Sequence, residues 1–266
     1  MPPEQQKLRG LLLVPDGLVY PIFKRLLEQG DLPNFSRYVY DRSLVNVDHA
    51  FSCHPSATTE CMQAINTGRY PHDPGAVSYF KETNSVRNTT GRDYLSGSNC
   101  AGLKTVFHYV DPWTISIYNT HHDGVNEPHW GWLSFNNLSY FLGALGETSN
   151  QIAVRRVIEA FRERPVKFAE VYLHVYDRFA HTIRSEKKLE DKYRRFDRYV
   201  GEMCDVLENR GILDETLIVF LSDHSMSDVE QSVDQRRQSR DLLRDDAYLP
   251  RQFFGRHQCP WTQLLS

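Results

Sequence analysis

Short runs of apolar residues alternate along the chain with segments whose apolar residues recur at a helical spacing. Uninterrupted apolar runs are typical of strands buried on both faces of a parallel sheet, and Gly10–Val14 is such a run. Strict alternation of apolar and polar residues indicates a strand with one buried face. On these patterns, strands are predicted at Gly10–Val14, Ser43–His49, Ala169–Tyr176 and Thr216–Leu221, with two shorter candidates within residues 104–118.

Segments with a helical spacing lie between these strands. Helices are predicted at residues 20–30, from about Pro33, and at residues 57–66, 150–163 and 186–210. Gly30, Gly68 and Gly211 stand at the ends of three of them, where the left-handed backbone that closes a helix favours glycine. Because strands alternate with helices, the sequence predicts an α/β fold with a largely parallel central sheet flanked by helices.

The middle of the chain shows no clear period. Residues 81–100 are rich in Asn, Ser, Thr and Gly, which is typical of a loop. A cluster of histidines and tryptophans follows, at His121, His122, His129, Trp130 and Trp132. This cluster is either a lid whose aromatic rings stack on a flat substrate or a packed aromatic insertion. We expect a single domain over residues 1–266, with an inserted irregular lobe at about residues 81–145.

Composition and charge exclude several classes of protein. The 266 residues contain 31 Lys and Arg against 34 Asp and Glu, so no excess of positive charge is available to bind a nucleic-acid backbone. The N-terminus is polar, and no apolar run approaches the roughly 18–20 residues of a membrane span. The five cysteines show no C-x-x-C spacing, which favours a reducing compartment. The sequence therefore predicts a cytoplasmic protein with neither a signal peptide nor a membrane span.

Acidic residues and histidines follow three of the predicted strands. Asp16 follows the first strand, Asp177 and His181 follow a later one, and Asp223–His224 follow the last. The carboxyl ends of parallel strands meet at one edge of a sheet, where ligand sites form. Asp and His supply ligands for a zinc-type cation, and a hydroxyl beside such a cation can act as a nucleophile. Taken singly, Asp16 is also typical of a turn, and Asp177 with His181 is also typical of a surface charge pair.

Five short motifs follow one another along the chain. They are Val14-Pro15-Asp16-Gly17, Pro55-Ser56-Ala57-Thr58, Thr67-Gly68-Arg69-Tyr70-Pro71, Asp177-Arg178-Phe179-Ala180-His181 and Ser222-Asp223-His224-Ser225-Met226. In their order and spacing, the chain resembles the type I phosphodiesterase/nucleotide pyrophosphatase branch of the alkaline phosphatase superfamily. The resemblance implies an alkaline phosphatase-like fold and a metal-dependent phosphohydrolase. The implied substrate is a small-molecule phosphate ester, whose phosphodiester or pyrophosphate bond is cleaved through a covalent phospho-threonine.

The resemblance also implies roles for individual residues and two divalent ions, with zinc as the expected metal. The residues implied around the first ion are Asp16, Thr58, Asp223 and His224. The residues implied around the second ion are Asp177, His181 and a C-terminal histidine, for which His257 is the candidate. Thr58 is the implied nucleophile. Its other interpretation is a hydroxyl that caps the start of a helix.

The same residues leave other functions open. A phosphonate hydrolase or a phospho-transferase is one, because the segment from Pro55 to Thr58 also resembles the motif of phosphonoacetate hydrolases. A shortened, non-catalytic binding homologue that lacks the second ion is another. A sulfatase is disfavoured, since the residue nine positions before Thr67 is Thr58 and not Cys53. Cys61 stands where the family has Asn, and a thiol is a weaker hydrogen-bond donor than an amide.

Overall fold

The first strand, β1 (Arg9–Pro15), lies inside a parallel sheet, between two strands that come much later in the chain. In the described residues this sheet has the order β5 (Glu127–His129), β4 (Thr114–Ile117), β6 (Phe168–Leu173), β1 and β7 (Thr216–Phe220). Each described pairing in it is parallel. The carboxyl ends of β6, β1 and β7 therefore lie side by side, which brings together the chain segments that follow them.

The computed structural model describes residues 8–47, 50–53, 56–70, 77–80, 84–88, 103–110, 112–119, 121–129, 146–183 and 185–226. The chain divides into two units, Met1–Met226 and Ser227–Ser266, and every described residue belongs to the first. Two further strands, β2 (Val77–Phe80) and β3 (Ser85–Asn88), form an antiparallel pair. The single domain and the inserted lobe at about residues 81–145 stay predictions, because much of the lobe lies outside the described residues.

Helices pack against the sheet. The described α-helices are α1 (Tyr20–Glu28), α2 (Pro33–Phe35), α3 (Thr58–Thr67), α4 (Gly146–Glu163), α5 (Val175–Thr182) and α6 (Glu186–Asn209). A π-helical turn covers Ser36–Tyr40, and 3-10 turns cover Val106–Tyr109 and Leu213–Glu215. The α3 helix ends at Gly68, whose φ of 65° is left-handed. Among the described helices, none has both the length and the apolar composition that crossing a bilayer requires.

An apolar core fixes β1 against the helices. Leu13 of β1 and Phe196 of α6 are both fully buried. Phe23 of α1 packs edge-on against Phe35, with ring centroids 5.0 Å apart. Each fully buried side chain of this size stabilises the fold by about 1.5–3 kcal/mol. This packing holds the carboxyl end of β1, and with it Asp16, in a defined place.

The predicted α/β fold with a largely parallel sheet is confirmed, as are the strands at β1 and β7. The strand predicted at Ser43–His49 is wrong. Over residues 43–47 the backbone is irregular, and Leu44 and Val45 are 90% and 76% exposed. These two adjacent apolar residues break the strict alternation, and in the described part of the sheet no strand pairs with this segment. His49 itself lies outside the described residues.

Three other predictions need correction. The strand predicted at Ala169–Tyr176 ends with β6, and α5 begins almost at once, so Asp177 lies on a helix and not at a strand exit. Of the two candidates within residues 104–118, only β4 is a strand, because Val106–Tyr109 forms a 3-10 turn. Within the loop predicted at residues 81–100, β3 is a strand, since it pairs with β2.

Candidate metal centre

Asp16 is held at the carboxyl end of β1 by a turn that needs glycine. It follows the last residue of β1 and is 4% exposed. Gly17 has a φ of +61°, and a Cβ atom there would lie 2.9 Å from the Cα atom of Asp177. Any other residue at this position would collide with α5 and would be strained in the left-handed conformation. Glycine thus lets the exit of β1 approach Asp177 closely.

The exit of β7 is hydrogen-bonded to the exit of β1. The Leu18 amide donates to Ser222 Oγ at 3.0 Å, and Ser225 Oγ donates to the Leu18 carbonyl at 2.8 Å. The Gly17 amide donates to Asp223 Oδ1 at 3.2 Å. These contacts hold Asp223, which is 3% exposed, against the turn that follows β1.

Asp177 and His181 share one face of α5. They are four residues apart, and His181 Nε2 lies 3.3 Å from Asp177 Oδ1. The Asp177 side chain is 15% exposed, whereas that of His181 is 57% exposed. Asp177 is therefore the buried member of the pair, and His181 is the member that solvent reaches.

Ligand atoms from β1, α5 and the exit of β7 converge at this edge of the sheet. One ligand atom each of Asp16, Asp177 and His224 lies within 4.8 Å of the other two. His224 Nε2 is 3.4 Å from Asp16 Oδ1 and 3.6 Å from Asp223 Oδ2. Asp223 Oδ2 is buried and accepts no hydrogen bond from the residues that the structure describes. A buried carboxylate oxygen in this position requires a partner, and the donor set fits a zinc-type cation.

Thr58 lies at the start of α3 and beside the same cluster. Its Oγ1 atom is 3.4 Å from Asp16 Oδ1 and 3.2 Å from His224 Nε2. The N-cap residue of α3 is Ala57, in extended conformation, and no side chain caps the helix. The interpretation of Thr58 as an N-cap is therefore wrong, because its hydroxyl contacts the acidic cluster and not the helix backbone.

The carboxylates of the cluster destabilise one another's charges. Burial raises the pKa of Asp16 well above its ordinary value, and the nearby charges of Asp223 and Asp177 raise it further. Burial also raises the pKa of Asp177, which the neighbouring His181 and His224 partly oppose. Like charges this close favour protonation unless a cation is present. A divalent ion would relieve this repulsion. The electrostatics of the cluster and the geometry of its donors therefore both fit a zinc-type cation.

The structure gathers most of the predicted site residues at one edge of the sheet. The residues it brings together are Asp16, Thr58, Asp177, Asp223 and His224. Within the described residues these donors form one continuous cluster, and His181 lies at its exposed border. His257 lies outside the described residues, so its predicted place around a second ion stays a prediction.

Two contacts of this centre were missed by sequence reasoning. Tyr172 Oη donates a hydrogen bond to Asp16 Oδ2, and Ser52 Oγ donates to the Asp223 carbonyl at 2.8 Å. A hydroxyl at the carboxyl end of a buried strand is the signal that would have found Tyr172. Ser52 carries no comparable signal, because its contact depends on how a loop folds against a distant segment.

Comparison with known proteins gives one family and one fold. The sequence profile of the type I phosphodiesterase/nucleotide pyrophosphatase family matches residues 11–253. No curated protein sequence matches the chain significantly.

The fold is similar to that of murine ectonucleotide pyrophosphatase/phosphodiesterase 5, an inactive threonine-to-alanine variant solved in complex with AMP. The TM-score is 0.62 at 14% sequence identity, and the match covers 84% of this chain and 59% of the murine one. This chain therefore spans less than two thirds of the length of that relative. At this identity the likeness concerns the fold alone.

Proposed function

The chain belongs to the type I phosphodiesterase/nucleotide pyrophosphatase family, and we propose that it is a metal-dependent phosphohydrolase of phosphodiester or pyrophosphate bonds. One observation carries the proposal. The Thr58 hydroxyl lies 3.4 Å from Asp16 Oδ1 and 3.2 Å from His224 Nε2, at the start of a helix. A hydroxyl beside a set of metal ligands is the arrangement that nucleophilic phosphoryl transfer needs.

Two divalent ions, with zinc as the expected metal, are part of the proposal. The proposed ligands of the first ion are Asp16, Thr58, Asp223 and His224. The proposed ligands of the second ion are Asp177, His181 and His257. When bound, such ions supply Lewis-acid stabilisation of the charge that develops on a phosphoryl group. Two observations support cation binding. Asp223 Oδ2 has no hydrogen-bond partner within the described part of the chain, and the pKa of Asp16 is raised.

Thr58 is the proposed nucleophile. The Thr58 hydroxyl donates a hydrogen bond to Asp16 Oδ1, and this contact orients Oγ1. The same Asp16 carboxylate is close enough to accept the hydroxyl proton. Oγ1 attacks phosphorus and displaces the leaving oxygen, which gives a phospho-threonine and an alcohol or phosphate product. Water then attacks the phospho-threonine and returns the hydroxyl. The first backbone amides of a helix have no helical carbonyl partners, and at the start of α3 their direction favours the anionic phosphoryl group.

The murine neighbour supports this class of substrate and nucleophile. That protein was solved with AMP, a nucleotide, and is described as inactive when one threonine is replaced by alanine. We propose a small-molecule phosphate ester as the substrate of this chain as well. Loss of activity on loss of a threonine is the outcome that a threonine nucleophile predicts.

Paired threonine variants test the proposal. The full chain is treated with EDTA, reloaded with Zn²⁺, and assayed with a chromogenic p-nitrophenyl phosphodiester. We expect Thr58→Ala to lose several orders of magnitude in turnover while it still binds zinc. Thr59→Ala is the matched control, because it removes the same hydroxyl from the next position of α3, and we expect it to remain active.

The outcomes separate hydrolysis from the non-catalytic alternative. A parent chain that binds zinc but does not hydrolyse the ester would be a binding homologue. Equal losses in Thr58→Ala and Thr59→Ala would refute Thr58 as the nucleophile. Faster cleavage of a phosphonate than of a phosphodiester would favour the phosphonate hydrolase.

A further inference from the structure

Two buried thiols lie next to the candidate metal centre. Cys53 Sγ and Cys61 Sγ are 3.4 Å apart, and these residues are 9% and 3% exposed. A disulfide bond is about 2.05 Å long, so the two sulfurs are roughly 1.4 Å from bonding distance.

A chain of hydrogen bonds connects these thiols to the metal centre. Ser52 Oγ donates to the Asp223 carbonyl at 2.8 Å, and Cys61 Sγ lies 2.8 Å from the same hydroxyl. Because Ser52 gives its only proton to the carbonyl, the Cys61 thiol donates to Ser52 Oγ. Cys53 Sγ in turn donates to Cys61 Sγ. Both thiol protons are thus part of one chain that ends at a proposed metal ligand.

We infer that Cys53 and Cys61 are a redox-active dithiol, which a low-molecular-weight disulfide oxidises to an intramolecular disulfide that switches the metal centre. The expected effect of the disulfide on hydrolysis rests on the proposed function, whereas its expected effect on zinc affinity does not. Cys53 is the more exposed of the two residues, so we assign it as the one that attacks the incoming disulfide.

The chemistry balances in two exchange steps. The Cys53 thiolate displaces one small thiol and leaves a mixed disulfide. Cys61 then displaces the second small thiol and closes the Cys53–Cys61 bond. The protein loses two electrons and two thiol protons, and the small disulfide becomes two small thiols. Burial raises the pKa of Cys61 to about 12, chiefly by desolvation, so we expect slow exchange at neutral pH.

The disulfide would affect the metal centre in two ways, through Thr58 on α3 and through the hydrogen bond of Ser52. Thr58 lies in the stretch between the two cysteines, and Cys61 follows it by three residues on α3. Closing the bond pulls the first turn of α3, and it removes the thiol proton that Cys61 gives to Ser52. Displacing a reacting group by about 1 Å costs about 100-fold in rate. We therefore expect the disulfide to lower turnover by about tenfold or more and to change the affinity for zinc.

The test treats the full chain with excess oxidised glutathione, quenches with acid and N-ethylmaleimide, and maps cysteine peptides by mass spectrometry. We expect a Cys53–Cys61 linkage, weaker hydrolysis, altered zinc affinity in a titration after desalting, and recovery of both with dithiothreitol. Cys53→Ser should form no such linkage and should be insensitive to the oxidant. Cys204→Ala is the control, because it removes another buried thiol from α6 and should respond as the parent does.

Each outcome decides the inference. Both thiols still alkylated after prolonged oxidation would overturn the dithiol. A complete Cys53–Cys61 linkage with unchanged zinc affinity and unchanged turnover would overturn the switch. If neither the reduced nor the oxidised chain hydrolyses the ester, the proposed function fails, and the zinc titration alone decides the switch.

Discussion

Glu170 offers a quantitative test of how a buried carboxyl group makes the stability of this fold depend on pH. The residue lies on β6 and is fully buried. The Asn66 side chain on α3 donates to Glu170 Oε1 at 3.0 Å, and the Asn119 side chain donates to Oε2. Glu170 thereby ties α3, which carries Thr58, to the sheet. The perturbation is Glu170→Gln, which keeps the shape of the side chain and removes its ionisation.

The expected magnitude follows from the pKa. Burial raises the pKa of Glu170 from 4.5 to about 7, against the opposing hydrogen bonds of Asn119, Asn66 and Ser116. A pKa difference of one unit corresponds to about 1.4 kcal/mol. The difference between the folded and unfolded pKa of Glu170 therefore corresponds to about 3 kcal/mol of folding stability. Because the folded pKa is the higher one, this stability is fully present below pH 4.5 and is lost as pH rises through about 7.

The assay compares free energies of unfolding at pH 5 and pH 8. Urea unfolding in EDTA keeps metal binding out of the measurement. We expect the stability of the parent relative to Glu170→Gln to fall by about 2–3 kcal/mol between these pH values. Glu28→Gln is the control, because it makes the same change at the exposed end of α1. A difference between parent and Glu170→Gln that does not vary with pH would refute the reasoning.

Three further predictions concern the metal centre itself. Gly17→Ala should weaken zinc binding in a titration, because its Cβ would lie 2.9 Å from Asp177; an unchanged affinity would contradict the close approach. Burial raises the pKa of Asp16 and the Tyr172 hydrogen bond opposes that rise, so Tyr172→Phe should weaken zinc binding more at pH 5.5 than at pH 8. Equal losses at both pH values would count against this linkage. His257→Ala should remove one of two zinc ions at unchanged stability, and equal metal content in mutant and parent would exclude His257 from the site.

Much of the fold could be predicted because its signals are local. The apolar run of β1 reflects burial on both faces, and Gly68 ends α3 because its φ of 65° suits glycine. The strand predicted at Ser43–His49 failed because the adjacent Leu44 and Val45 interrupt its alternation, and because an apolar face does not by itself supply a pairing partner. Whether another strand pairs with such a segment depends on residues far away in the sequence, which no local pattern contains.

For the candidate site, the sequence predicted the residues but not their arrangement in space. Asp16, Asp177 and Asp223 were marked by their places after predicted strands, but their closeness depends on β1 lying between β6 and β7. The sequence contains no local signal for that strand order. Contacts that arise only from folding, such as Ser52 against Asp223 or Cys53 against Cys61, stayed invisible for the same reason.

The stereochemical course at phosphorus tests the proposed Thr58 nucleophile most directly. The substrate is a phosphodiester made chiral at phosphorus by one sulfur and one oxygen isotope, and the product configuration is read by ³¹P NMR. Each in-line displacement inverts phosphorus, so attack by Thr58 followed by attack of water predicts net retention. Net inversion would show a single direct attack by water and would contradict a covalent phospho-threonine at Thr58.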